Sequence, residues 1–487
     1  MPVGWTRRRF GRLLGVAATA TAAGSGLAAC GPTTTVALPS VTAPTTTLIA
    51  QVSWQGSGVP YKTAQPLVEE FIQKNWSAQH PGVRVVTQGW GAAGFDGLPA
   101  ILAGQGPDII MNCCGTVPQI IDAKVLRPLD PYLKRDNIDV ASLFPASVLQ
   151  SMRTPEALYG LPDYGSTQPL FYNQSMLDGL GLTYPTDTWT HTEAAQLWTA
   201  VAGKRKGKWV YGANLVVGEG HNGGSAGAQE WLIHGFGGTV RDPTHTICKL
   251  DSPEAVAAYS WLAPLCASNI IYPGLWGLGN TPDLILRGQV GFSPACCGTL
   301  LYAAVHLNAA IKWDLVAMPV FPAGRTCFIG NGMYGMNALS SHDPDLVWDL
   351  FRWITTSADW QRYFNATLSL QPPSLLSDEV WSDWLKIVRQ AAPPLKNKNL
   401  EAYHISLKGA YDWAFFKYAP TQADALWAKY TALMTSGQMS VELALGQLTN
   451  QINALEAAGQ QMQVAQEGAN KAFPSVGPAI AGVQPGL

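Results

Sequence analysis

The stretch Tyr159–Asn173, YGLPDYGSTQPLFYN, limits the possible folds of this chain more than any other. Pro162 and Pro169 exclude a helix through its middle, Gly160 and Gly165 permit tight bends, and Leu170, Phe171 and Tyr172 form a short apolar strand before a new helical pattern. Such a segment leaves one globular body and enters another. Asp163, Tyr164, Ser166 and Gln168 are then expected to stand exposed between the bodies, where ligand clefts commonly form. An ordinary loop-to-strand connection would use the same residue types. Length favours the first reading, because 487 residues exceed one core and suggest two lobes.

The formal net charge of -2 leaves no basic field for a phosphate backbone, so no nucleic-acid partner is expected. Only 13% of residues are charged, whereas 18 are Trp, an excess suited to stacking on the C–H faces of hydroxyl-rich ligands. Any single Trp is still more simply explained as core.

The amino end reads as an export signal. TRRRFGR (residues 6–12) precedes a mild apolar run, Leu13–Ala23, and then Leu27-Ala28-Ala29-Cys30. Thr6–Phe10 resembles a twin-arginine signal and Leu27–Cys30 a bacterial lipobox, in which Cys30 would carry lipid. Residues 1–30 are therefore expected as a lipoprotein signal peptide and the Pro/Thr/Ala-rich residues 31–46 as a tether. The body is expected outside the cell, on the outer face of the membrane.

Strand and helix signals alternate along the body. Thr47–Trp54, Val83–Gln88 and Asp108–Met111 read as strands, with helical spacing over Ala64–Ser77 and Leu98–Ala103. Trp209–Val217 reads as a further strand and Gln229–His234 as a helix. Ser252–Ala267 carries an N-cap, a first-turn Pro and an acid that complements the dipole, and Asp345–Ile354 and Ala423–Met434 are amphipathic. The alternation implies an α/β fold with mostly parallel sheets, whose ligands sit beyond the carboxyl ends of strands.

Several segments resemble the extracellular solute-binding proteins of sugar-type ABC importers, of the maltose-binding-protein kind. They are Gly104–Ile110, VLRPLDPYLKRD (Val125–Asp136), YGLP (Tyr159–Pro162), FYN (Phe171–Asn173), GQVGFSPACCG (Gly288–Gly298), Met318–Asn337 and SGQMSVELALGQLTNQIN (Ser436–Asn453). The likeness covers nearly all of residues 47–458. Pro169 departs from it, standing where that family has a small residue. The resemblance implies a two-lobed periplasmic-binding-protein-like (type II) fold with a hinge and discontinuous lobes. Lobe 1 would hold residues 47–165 and 336–393, lobe 2 residues 166–330 and 397–458, and residues 459–487 would form a tail. Crossings would fall near 163–168, 326–336 and 393–397.

For the ligand cleft the aromatic candidates are Trp54, Trp90, Tyr164, Trp231, Trp276, Tyr334 and Trp413, each in or beside a Gly-rich loop. Gln55, Asn112, Asp163 and Asn331 would bond hydroxyl groups. The adjacent pairs Cys113-Cys114 and Cys296-Cys297 fall at expected strand ends. They could be vicinal disulfides under a ligand, cross-links involving Cys327, or small buried hydrophobes, and Cys113, Cys114 and Cys297 are taken as ligand contacts. A metal site is disfavoured, since neither pair has CxxC spacing or a nearby His. Cys248 and Cys266 flank a strand-turn-helix unit and are expected to pair. His191, His221, His234, His245, His306 and His404 stand in unrelated contexts, and no GxSxG, HExxH or GxxxxGK occurs, so no catalysis and no cofactor are expected.

The resulting expectation is a monomeric, lipid-anchored receptor that captures an oligosaccharide or sugar derivative by lobe closure and delivers it to ABC permease subunits. A surface-anchored glycan-degrading enzyme is the other class considered, and a polyol, amino sugar or sugar phosphate the other ligand class.

Overall fold

A computed structural model describes residues 45–52, 61–89, 98–113, 117–150, 152–162, 165–215, 229–272, 281–294, 311–330, 332–362, 372–411 and 416–472. Two five-stranded sheets dominate them. In the first, β1 (Thr46–Val52) pairs in parallel with β2 (Val83–Gly89) over its whole length and touches β3 (Ile109–Cys113) at Ala50↔Ile109. β14 (Gly332–Met336) returns from far along the chain and lies antiparallel to β3, with β4 (Leu161–Pro162) at its other side. Leu48, Ala50 and Val52 alternate inward with no exposure, as the period of two demands when one face is packed by helices.

The second sheet has the order β10-β6-β9-β8-β7, built from Trp313–Val316, Leu170–Asn173, Val290–Pro294, Lys208–Ala213 and Gly203–Arg205. All four residues of β6 are buried, because this strand lies inside the sheet with neighbours on both sides. Helices His191–Val201 and Thr281–Leu286 pack on this sheet, and the Pro253–Ala267 helix, which packs on other helices, opens with the expected cap: Ser252 accepts from the Ala255 N–H at 3.2 Å, Pro253 follows, and Glu254 lies in the first turn. This is the two-lobed α/β architecture that the sequence implied, but the expected mostly parallel arrangement is confined in the first sheet to β2-β1-β3: β14 joins β3 and β4 joins β14 in antiparallel pairs, and in the second sheet only β8 and β9 pair in parallel.

A third, small sheet stands between the two. β5 (Ser166–Thr167) runs antiparallel to β13 (Cys327–Gly330), and β15 (Ala410–Tyr411) joins β13 in parallel. Buried Thr167 donates its hydroxyl to the Tyr403 carbonyl at 3.0 Å. Nearby, Lys398 and Asn399 bond to β10: the Lys398 ammonium sits 4.4 Å from the Trp313 ring centre, and the Asn399 N–H donates to Asp314 Oδ1 at 2.8 Å. β11 (Val320–Phe321) and β12 (Gly324–Arg325) form a hairpin just before β13.

Two features differ from expectation. Helix Val441–Ala472 continues well past Glu456, since Gln, Ala and Glu are good helix formers, although residues 461–465 are exposed. The tryptophan excess goes largely into cores: Trp198, Trp313, Trp348, Trp360, Trp381, Trp384 and Trp427 are fully enclosed. Their indoles meet edge to face, as with Trp381 and Trp384 at 5.5 Å and 70°.

Gly409 lies where any Cβ would overlap the Arg325 carbonyl oxygen, a backbone atom that cannot swing away. Gly409→Ala is therefore expected to destabilise the small sheet by about 1–3 kcal/mol. The control Gly179→Ala, with open space around it in a helix, should be neutral or stabilising by about 0.5–1 kcal/mol. Urea unfolding of the two variants checks the contrast.

Candidate functional site

The carboxyl ends of β1, β2 and β3 in one lobe and of β8 and β9 in the other are where an α/β protein places its ligands. Trp54, Gln55, Trp90, Cys114, Asp163, Tyr164, Trp276, Cys297, Asn331 and Trp413 lie outside the described residues, as do Cys30 and Cys296. Asn112 and Cys113 are the last two residues of β3, in register with Met333 and Gly332, so their backbone is at the carboxyl edge of the first sheet.

Tyr334 is a correction. It has no exposure and stands in the middle of β14, in register with Met111 on one side and Leu161 on the other, so it belongs to the lobe core. Its glycine-flanked sequence reflects close strand and loop packing: a Cβ at Gly335 would come 2.7 Å from a Leu126 methyl. Gln168 is a second correction. Expected at the surface, it is 3% exposed, because β5 pairs with β13 and draws the residue after it inward.

Trp231 lies in helix Glu230–Gly235 at 5% exposure, its ring edge-on to Phe321 at 5.7 Å. With Gln168, Leu215, Pro294, Met318, Cys327 and Phe328 it lines a small enclosed space between the bridging sheet and the second lobe. The main chain there is held by the Thr326 hydroxyl, which donates to the Trp231 carbonyl at 2.7 Å.

Of three buried amides at this level, Gln51 and Asn214 were missed in the sequence and Gln168 was expected exposed. Gln51 in β1 accepts from the Met111 N–H at 2.9 Å, while its Nε2 has no partner among the described residues. Gln168 Nε2 and Asn214 Oδ1 are in the same state, and Asn214, directly after β8, reaches Ser293 Oγ at 3.5 Å. A buried amide with half of its capacity unused is costly unless something else meets it. The available signal was a lone amide inside or just after an apolar strand, as in Ile49-Ala50-Gln51-Val52.

A charged group supports the chain beside the bridging sheet. Burial alone would raise the Glu230 carboxyl, but the paired Arg241 guanidinium and His234 hold it below its usual range. Arg241 also lies 5.1 Å from the Phe416 ring centre. Glu456, pushed up by burial, accepts the Tyr418 and Ala419 N–H groups at 3.0 and 2.7 Å. Between them Lys417 reaches from this lobe to Asp122 Oδ1, at 3.2 Å, in helix Val117–Asp122 behind β3.

The expected Cys248–Cys266 bond is absent; both thiols are free, as is Cys327. Cys248 turns toward the closing helix, where Thr449 Oγ1 is 3.9 Å from its sulfur. Burial raises the Cys248 thiol to about 11 and the other two to about 12, so all three stay protonated. Among the described residues no three His, Cys, Asp or Glu gather as a metal site. None of the described helices is long and apolar enough to cross a membrane.

Residues 55–264 match the model of a family described as bacterial extracellular solute-binding protein. The matched stretch is less than half of the 487 residues. A probable ABC transporter-binding protein of Deinococcus radiodurans is 25% identical over 241 residues, 46% of this chain and 53% of that protein, so the match spans about half the length of the curated relative. A cyclic alpha-maltosyl-1,6-maltose binding protein from Arthrobacter globiformis superposes with a TM-score of 0.68 at 16% identity, over 85% of this chain and 99% of that one. An ABC substrate-binding protein from Listeria monocytogenes, in complex with cycloalternan, gives 0.62 at 19% identity over 84% and 98%. These structural likenesses carry the solute-binding fold.

Two outcomes follow for this chain. Denatured without reductant, Cys248 and Cys266 should both alkylate fully, and the double variant Cys248→Ala/Cys266→Ser should unfold without the loss of about 2–4 kcal/mol that a missing disulfide brings; peptide mass spectrometry and urea melts read this. His245 is pushed down to about 4 by burial and by Arg241, so the folded protein refuses a proton that the unfolded chain binds below about pH 6.5. Its contribution is present above that pH and is lost as pH falls toward 4. Replacing it by Asn, which tolerates the left-handed φ of 60° there, should shrink the stability drop between pH 7 and 4.5 by roughly 2 kcal/mol in urea melts.

Proposed function

We propose that this protein is a lipid-anchored, extracytoplasmic receptor that captures a carbohydrate between its lobes and presents it to ABC permease subunits. The observation that carries the reading is the bridging sheet, in which β5 and β13 cross as an antiparallel pair between the two five-stranded sheets. A pair of short strands can bend through small φ/ψ changes while both sheets stay rigid. The partial family match and the structural likeness to proteins named for cycloalternan and for cyclic alpha-maltosyl-1,6-maltose support a sugar. A ligand touching both lobes has more contacts in the closed state and shifts the population toward it.

The wall would come from the loops beyond the strand ends, Trp54, Gln55, Trp90, Asn112 to Cys114, Asp163, Tyr164, Trp276, Cys297, Asn331 and Trp413, with Trp231 and Gln168 at its base. Rings stack on sugar faces and amides take hydroxyls of either polarity. Cys30 would carry the lipid, residues 31–46 would form the tether, and the body would act as a monomer.

Thermal shift against a panel of neutral oligosaccharides, polyols, amino sugars and sugar phosphates tests this. A neutral oligosaccharide at a hundred times its Kd should add about 2.7 kcal/mol of stability and be recovered unaltered. A shift by polyols or phosphates alone would move the ligand class, and no shift by any sugar would overturn the reading.

A further inference from the structure

The edge of the second sheet carries a charge concentration that ligand capture does not use. β7 and β8 form a hairpin, with Gly203↔Val210, Lys204↔Trp209 and Arg205↔Lys208 in register. Its two turn residues, Lys206 and Gly207, have φ of 47° and 80°, the left-handed pair that a two-residue hairpin turn requires. Four of the five residues from 204 to 208 are therefore cations, on a chain whose net charge is -2. Lys204, Lys206 and Lys208 are exposed.

Arg205 and Lys208 face each other directly across the strands, an arrangement that like charges disfavour. Among the described residues none of the four cations forms an ion pair, and Arg205 keeps one buried guanidinium nitrogen without a partner. Beside them Trp209 is 44% exposed, its indole held by a 2.9 Å hydrogen bond to the Asn269 carbonyl. An unneutralised cation cluster next to a fixed, exposed indole matches the surface of an anionic bilayer, where cations meet headgroup phosphates and indoles favour the interface. An acidic protein patch would explain the cations and leave the exposed ring unused.

We propose that this hairpin docks the second lobe on anionic phospholipid headgroups. β8 runs from the hairpin toward the cleft, so Lys208 and Ala213 mark opposite ends of the strand and docking leaves the ligand cleft free. The proposal rests on the membrane attachment inferred above. Residues 31–44, between Cys30 and the first described residue, could span at most about 50 Å, which keeps the body within reach of the bilayer.

The test uses the full chain with Cys30→Ser, so that no acyl chain contributes, and vesicles of phosphatidylcholine with or without about a third phosphatidylglycerol. Each cation near such a surface multiplies binding about five-fold. The protein should co-sediment with the anionic vesicles at least ten-fold better than with neutral ones at low salt, and lose this advantage at high salt. Lys204→Gln/Lys206→Gln/Lys208→Gln should abolish the difference while keeping the melting temperature and any sugar-induced shift. Lys206→Glu, at the exposed turn, is a second variant with little risk to folding and should weaken binding about ten-fold or more. Equal binding to both vesicle types, or anionic binding unchanged in the variants, would overturn the proposal. The sugar shift and the fractionation of the lipidated chain are read separately, so ligand capture and anchoring stand or fall on their own results.

Discussion

The structure depends on the pairing of two segments that are far apart in the chain, Ser166–Thr167 and Cys327–Gly330. Each is a passage between the two large sheets, and their mutual hydrogen bonds, with β15 beside β13, make the passages a defined element. The packing around them leaves no slack. A side chain at Gly165 or Gly409 would overlap the carbonyls of Pro373 and Arg325, and the Thr167 hydroxyl is committed to Tyr403. Bending is thereby confined to backbone torsions of a few residues, while the flanking sheets keep cores whose apolar residues are almost wholly enclosed.

From this arrangement the polar base of the candidate cleft follows. Pairing of β5 with β13 pulls Gln168 inward beside Trp231 and Cys327, and the parallel run of β8 beside β9 brings Asn214 next to Ser293. Apolar strands would have been simpler to bury at these points. Amides that retain unused bonding capacity at strand ends would suit the carbohydrate proposed as ligand, because an unpaired buried amide discriminates strongly between ligands that satisfy it and ligands that do not. Lys417, carried by a segment that Glu456 anchors through its backbone, adds a contact from the second lobe to the first.

Local signals were readable wherever they act over a few residues. The cap Ser252-Pro253-Glu254 starts its helix as written, and Asp343 likewise caps the helix Pro344–Thr356. Asp108–Met111 lies on or next to its strand. Burial was less readable. Tyr334 and Gln168 stand among glycines and prolines, a context that suggests exposure, yet long-range strand pairing encloses both. Cys248 and Cys266 flank one helix, but whether two thiols meet depends on which way each side chain turns, and Cys248 turns to Thr449 on a helix some 200 residues later.

The sequence by itself determined the alternation of strands and helices, the crossing character of Tyr159–Asn173 and the resemblance to solute-binding proteins, because caps, turns, periodicity and short motifs are encoded by neighbouring residues. The tertiary structure alone decided which passages pair, which aromatics are core, which amides end with unused bonds and that four neighbouring cations share one hairpin edge with an exposed indole. Those outcomes depend on contacts between segments up to hundreds of residues apart, and no local pattern carries the geometry of such contacts.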